Sequence, residues 1–332
     1  IFRLTNDDLD YLNVLKQIIS ENKIHANIIH VVGVRRPLPL FALLLSCYLS
    51  VPCLMTFAGS DVPNGLIQEE MAVWEERKID TINSIKQANG YSAYSTGIAK
   101  CAQNLMPFLN EIPIFKTGID LDMIEKVEPY HDSCDYILTA RRFVYSKGID
   151  VLLRAFAIVK DKFPKLQLYI AGYGEEQDHL EQLVSSLNLN SRVRFLGTIP
   201  LEKLYAYMKG AKAHICPSRT EGGGNVNIEA SACGCIPIGS RVGGIPEYIL
   251  DKKTGFLFES ENIYELADCI CRVMVSGDDI LRMKQNGMSF VQKFSIASLT
   301  DRYLELYHSL KIRSNFEPWS TLTKEMWNEI HS

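Results

Sequence analysis

A chain of 332 residues exceeds what one ordinary hydrophobic core organises and suits two domains. With 47% apolar residues, 22% charged residues and a net charge of −4, it has the composition of a soluble globular protein and no electrostatic footprint for nucleic acid. The longest apolar run, Leu40 to Met55, is broken by Pro52 and diluted by Ser46 and Ser50, and falls short of a membrane-spanning helix.

From Asn27 the pattern predicts a strand over Ile28 to Val32, a helix over Pro39 to Leu49 and a strand over Pro52 to Phe57. A charged helix over Gln68 to Lys86 and a short strand over Tyr91 to Ser95 follow. Asn110 to Pro129, punctuated by Pro113, Gly118 and Pro129, reads as a linker and places a domain boundary near residue 125. Beyond it, strands are expected at Tyr136 to Thr139, Leu166 to Ala171, Val193 to Leu196, Ala213 to Cys216 and Ile236 to Ser240. Helices are expected at Gly148 to Lys162, Glu176 to Leu187, Leu201 to Lys209 and Ile228 to Cys233. Short strands rich in β-branched and aromatic residues, separated by helices, call for parallel sheets covered on both faces. The second half supplies five or six strands and the first only three or four, and the chain opens at Ile1 rather than Met. A fragment lacking one or two N-terminal strand–helix units is therefore expected.

The most informative stretch runs from Glu221 through Gly222, Gly223, Gly224, Asn225 and Val226 to Glu229. It reads as a three-glycine loop leading into a helix that carries both acids near its start. Glycines let a backbone approach a phosphate, the first amides of a helix offer donors, and carboxylates grip sugar hydroxyls. A nucleotide sugar meets all three. In a doubly wound sheet this loop, following Ala213 to Cys216, sits at the carboxyl edge where ligands bind. Arg142 and Lys147, following Tyr136 to Thr139, lie at the same edge and suit a diphosphate. Taken singly, each could be an ordinary surface cation, and Glu229 a residue favoured by the helix dipole.

Other constellations are weaker. Asp8-Leu9-Asp10 and Asp120-Leu121-Asp122 are D-x-D triplets of the kind that arise in any acidic chain, and they read as solvated faces rather than metal ligands. Gly172-Tyr173-Gly174 lacks the third glycine of a dinucleotide fingerprint, with Gln177 in its place. The nine cysteines have no zinc spacing, and Cys233 and Cys235 read as core thiols in a reducing compartment. His30, His131, His179 and His214 have no ligand spacing either and are taken as structural. Read as a glycosidase pair, Glu221 and Glu229 would leave the adjacent glycines and cations without a phosphate to answer.

Several motifs now fall into register: Thr139-Ala140-Arg141-Arg142-Phe143, Lys147-Gly148-Ile149-Asp150, Ala171-Gly172-Tyr173-Gly174, Phe195-Leu196-Gly197, Pro217-Ser218, the two glutamates, Ala232-Cys233-Gly234 and Gly243-Gly244-Ile245-Pro246-Glu247. From Tyr136 to Phe258 the chain resembles glycosyltransferase family 4. The likeness extends more faintly to Ile28-Ile29-His30, to Thr56-Phe57-Ala58-Gly59-Ser60-Asp61 and to Ile114 through Asp120. Ala58 stands where many members carry a histidine that contacts the donor sugar, and the family's N-terminal glycine-rich loop would lie upstream of Ile1.

The resemblance implies an α/β GT-B fold of two facing Rossmann-like domains. Residues 1–125 would be an incomplete acceptor domain, 126–293 the donor domain, and 294–332 a helical tail crossing back, in which Trp319 and Trp327 pack. It implies retaining transfer of a sugar from a UDP-, GDP- or ADP-sugar to a hydroxyl of a glycan or glycolipid, with no cofactor and no metal. Glu229 would hold the ribose and Glu221 the sugar hydroxyls. The loop from Gly222 to Val226 would meet the pyrophosphate and sugar, and Arg142 and Lys147 would clamp the phosphates. The setting implied is cytoplasmic, with peripheral membrane contact through the first domain. A nucleotide-sugar-binding module without turnover is the competing expectation.

Overall fold

A computed structural model describes residues 6–22, 25–34, 38–58, 79, 81–275 and 277–311. Most of the expected helix Gln68 to Lys86, the turn residues Gly59, Ser60 and Asp61, and Trp319 and Trp327 lie outside them. The chain forms two compact units, one built on residues up to Phe115 together with those from Arg302 onward, the other on Lys116–Asp301.

In the first unit, β1 (Ile29–Val32), β2 (Cys53–Phe57) and β3 (Gly90–Ala93) form a parallel sheet in that order, with Ile29 opposite Cys53 and Leu54 opposite Gly90. Every residue of β2 is buried, as befits a parallel strand covered on both faces. The helix Leu38–Leu49 follows β1 and contributes Leu40, Phe41, Leu43 and Leu44 to the core. After β3 comes a helix, Thr96–Leu105, that the strand expectation ending at Ser95 hid. Ser95 is its N-cap, accepting from the Ile98 amide at 3.2 Å, and Ile98, Ala99 and Ala102 turn inward. The C-terminal stretch closes the unit. Arg302 donates to the Ile114 carbonyl at 2.8 Å, the Tyr303 ring stacks on Phe115 at 4.3 Å, and the Tyr307 hydroxyl lies 2.8 Å from His30 Nδ1.

The second unit is a six-stranded parallel sheet in the order β6-β5-β4-β7-β8-β9. Its strands are β4 (Tyr136–Ala140), β5 (Gln167–Ala171), β6 (Val193–Gly197), β7 (Ala213–Cys216), β8 (Ile236–Ser240) and β9 (Phe256–Phe258). Ile137, Leu168, Ile215 and Ile238 join the core on one face. Tyr136, Leu138 and Tyr169 join the core on the other. The chain runs outward one way from β4 and the other way from β7, so the order reverses between these two strands, which meet with Leu138 opposite His214. That is the switch point where the carboxyl ends of a doubly wound sheet leave a crevice.

Two expectations need correction. The unit boundary falls between Phe115 and Lys116 rather than near residue 125, because the intervening residues pack on the second unit. Lys116 pairs with Glu247 at 3.2 Å, the Ile119 amide donates to the Phe294 carbonyl at 2.8 Å, and Ile119 and Ile124 are buried in the core containing Tyr136. Asp120, from one D-x-D triplet, caps the helix Leu121–Lys126 by accepting from the Met123 amide at 2.8 Å. The helix after the glycine loop spans Val226–Ala232, so Glu229 sits on it while Glu221 belongs to the loop.

Candidate active site

The loops that leave β4 and β7 meet at the switch point. Glu221 Oε2 accepts from three donors: the Arg141 guanidinium, Lys147 Nζ at 3.1 Å and Ser218 Oγ at 3.1 Å. Arg141 also donates to Ser218 Oγ at 2.9 Å. The Arg141 side chain is 8% exposed and that of Glu221 12%. Burial works against ionising Glu221, but the charges of Arg141 and Lys147 outweigh it and hold its carboxyl below the usual range. Glu221 is therefore a fixed carboxylate whose Oε1 makes no hydrogen bond to any described residue.

The loop is seated by the turn after β8. Gly243 has φ +52°, and a Cβ there would lie 1.5 Å from the Glu221 carbonyl oxygen. At Gly244 a Cβ would lie 2.6 Å from the Gly222 carbonyl, and its amide approaches the Glu221 carbonyl at 3.4 Å. Only glycine permits this approach. From the other side, Arg219 fastens the loop to the turn that carries Lys147. It donates to Asp150 twice and to the Tyr145 carbonyl at 2.7 Å, its backbone amide reaches the Ser146 carbonyl at 2.9 Å, and its guanidinium stacks 3.9 Å over the Tyr145 ring.

Glu229 makes no hydrogen bond to another described side chain, and burial pushes its carboxyl above the usual range, with Arg141 acting in the opposite sense. Between the two acids, no amide from Gly222 to Val226 donates to a described residue. Asn225 is anchored by Nδ2 to Thr117 Oγ1 at 2.7 Å, which leaves its buried Oδ1 without a partner. A row of unspent donors thus lies between one fixed carboxylate and one unpaired carboxylate, beside Lys147. This arrangement can bind phosphate oxygens along its middle and hydroxyls at both ends.

Residues 124–311, most of the second unit and the stretch that follows it, match the family model described as glycosyl transferases group 1. The chain belongs to glycosyl transferases group 1. Among its curated relatives is the phosphatidylinositol N-acetylglucosaminyltransferase gpi3 subunit of Schizosaccharomyces pombe, 29% identical over 191 residues, which are 57% of this chain and 41% of that protein. Another is the D-inositol 3-phosphate glycosyltransferase of Corynebacterium jeikeium, 32% identical over 172 residues, 49% of this chain and 41% of that protein. The match therefore spans about two fifths of each relative's length. In fold, the sucrose-phosphate synthase of Thermosynechococcus elongatus superposes with a TM-score of 0.77 at 23% identity, over 92% of this chain and 80% of that one. Anabaena HepE in complex with UDP-glucose superposes with a TM-score of 0.74 at 19% identity, over 90% and 82%. The chain shares the GT-B fold of these proteins.

Of the residues expected in the site, Glu221, Lys147 and the Gly222 to Val226 segment come together around one crevice, and Glu229 lies at the end of the loop on its helix. Arg142 does not join the cluster. Its side chain is exposed and bonds to no described residue, whereas its neighbour Arg141 turns inward to Glu221. Sequence reasoning also missed Ser218 and the Arg219–Asp150 clamp, although Pro217-Ser218 and Asp150 stood in its motifs. Fully buried His214 accepts from the Ala140 amide at 3.3 Å through Nε2, and burial, with Arg141 adding, pushes its pKa down to about 3. Cys233 and Cys235 are buried and unbridged, and burial pushes the Cys233 thiol up to about 12. Among the described residues no group of three or more His, Cys, Asp or Glu side chains is placed to hold a metal ion, and no helix is long and apolar enough to cross a membrane.

Proposed function

We propose that the chain is the donor-binding portion, with part of the acceptor-binding portion, of a retaining glycosyltransferase that moves a sugar from a nucleoside diphosphate to a hydroxyl. The observation that carries this reading is the row of unspent amides from Gly222 to Val226, flanked by Glu221, Glu229 and Lys147. Glu229 accepts from ribose hydroxyls, Glu221 Oε1 accepts from a hydroxyl of the transferred sugar, and the amides with Lys147 receive the diphosphate. Arg142 reaches the phosphates from the solvent side. As the bond from the anomeric carbon to the diphosphate oxygen breaks, negative charge grows on the leaving group, where fixed donors stabilise it most. The acceptor oxygen then bonds the anomeric carbon on the same face, and its proton passes to the departing diphosphate. This reading requires no metal, since Lys147 and the amides supply the positive charge, and no carboxylate nucleophile, since three donors hold Glu221.

HepE's complex with UDP-glucose supports a UDP-sugar as the first donor to test, with GDP- and ADP-sugars beside it. The names of the inositol-directed relatives favour a glycolipid or inositol-type hydroxyl as acceptor, read by the first unit at the cytoplasmic face of a membrane. Calorimetry with the three classes of nucleotide sugar tests the donor. NMR of the product formed by the full-length protein tests the mechanism. Retention of anomeric configuration is expected. An inverted product overturns the mechanism, and binding without transfer by the full-length protein favours the module without turnover.

A further inference from the structure

We propose that Arg141 is a positioning residue that sets how Glu221 reads the transferred sugar, and that it is not a ligand of the diphosphate. The inference rests on the donor-site reading above and adds a residue that reading does not use.

Arg141 is the first residue beyond β4, and its backbone is fixed on both sides. Its amide donates to the Ala171 carbonyl at 3.0 Å, and the preceding Ala140 amide donates to His214 at 3.3 Å. The guanidinium is turned inward, where Nη2 donates to Ser218 and Glu221 and the buried Nε has no partner among the described residues. Ser218 is itself fully buried and donates to the same Glu221 oxygen. Arg141, Ser218 and Lys147 thus converge on Oε2 and leave Oε1 as the open acceptor. A carboxylate free to turn would offer both oxygens to a vicinal pair of hydroxyls. One held this way offers a single acceptor in a fixed direction, which suits recognition of one hydroxyl at one ring position. Arg142 is exposed, whereas the Arg141 side chain is buried with its Nη2 bonded to Ser218 and Glu221.

The measurable quantity is the gain in affinity from nucleotide to nucleotide sugar, read by calorimetry for UDP and UDP-glucose, GDP and GDP-mannose, and ADP and ADP-glucose. For whichever pair the wild type binds, Arg141→Met should reduce that gain by about tenfold or more, while affinity for the bare nucleotide changes by less than about threefold. Glu221→Gln should reduce the gain similarly, and the double variant should lose little more than either single one, because the two residues act as one unit. Arg141→Lys, which keeps the charge but not the fork, should restore part of the gain. Additive losses, or a bare-nucleotide affinity that falls as far as the nucleotide-sugar affinity, would overturn the inference. Should Arg141→Met fail to fold, Arg141→Lys decides alone: reduced gain with nucleotide affinity kept supports the role, and the reverse overturns it. A folded wild type that binds none of these nucleotide sugars is a different pattern, which overturns the proposed function and this inference with it.

Discussion

Arg219 grips Asp150 through both terminal nitrogens, Nη1 to Oδ1 and Nη2 to Oδ2, each at 2.8 Å. The pair ties the loop after β7 to the start of the helix Ile149–Val159, and so keeps Lys147 beside Glu221. Asp150→Asn leaves the side chain's shape but removes the charge and one acceptor. It should lower stability by about 1–3 kcal/mol, because a charge-assisted bond is lost and the guanidinium keeps only Glu261 of its two counter-charges. Urea titration checks this, and a change under about 0.3 kcal/mol would show that the clamp is idle.

Gly243 offers a sharper test of how the glutamate loop is seated. In Gly243→Ala the new Cβ meets the Glu221 carbonyl, at 1.5 Å in the present backbone, so one of the two loops must move. A loss of about 3 kcal/mol or more, together with weaker nucleotide-sugar binding, is expected. Gly197 also has positive φ, +65°, but a Cβ there meets nothing within 4 Å. Gly197→Ala should therefore cost only about 1 kcal/mol from backbone strain and leave donor binding intact. Equal melting temperatures for the two variants would contradict this account.

Glu229 should show opposite effects on stability and binding. Its carboxyl is raised by burial, so the folded state holds that proton more tightly than the unfolded state does. The penalty for ionising it is absent below the unfolded value, builds as pH rises through the folded value, and is fully present at neutral pH. Glu229→Gln removes the penalty and should leave stability at pH 7 equal or higher. It should also weaken donor binding by roughly tenfold, since the ribose loses a charged acceptor. Wild-type donor affinity should fall as pH drops through a value above the usual carboxylate range. A thermal shift and a calorimetric pH series measure both sides.

His214 governs part of the acid stability. Its pKa is about 3 in the fold against an ordinary value of 6.5. Because the unfolded chain binds the proton and the folded chain refuses it, stability is fully present above 6.5 and is lost progressively as pH falls from there toward about 3. The loss should approach about 1.4 kcal/mol per pH unit within that window. His214→Gln keeps an acceptor for the Ala140 amide and removes the titration. Its stability should decline more gently than the wild type's between pH 6.5 and 4, and parallel slopes in the two proteins would refute the assignment.

Much of this molecule is written locally. The β-branched and aromatic runs that became β4, β5, β7 and β8 are parallel-strand sequences wherever they occur, and helices between them leave few topologies open. Glu221, Glu229, Lys147 and the three glycines were legible for the same reason, since their chemistry depends on residue type and short spacing. The elements that were missed lack such a signature. β9 has only Phe256–Phe258, and the helix Thr96–Leu105 is marked mainly by its Ser95 cap. The boundary at Lys116 was hidden because contacts distant in sequence, with Glu247 and Phe294, decide it.

The choice between Arg141 and Arg142 shows where sequence stops. Each is an arginine beside a strand end, and nothing in composition or spacing separates them. Successive residues of an extended chain point to opposite sides, so a shift of one residue in where β4 ends would exchange their roles. That end is set by pairing with β5 and β7, where Ala140 lies opposite Ala171 and Leu138 opposite His214. Sequence by itself determined that cations, carboxylates and glycines would gather at a sheet edge. Only tertiary structure decided which arginine faces the carboxylate, because the direction of a side chain depends on the register of strands far apart in the chain.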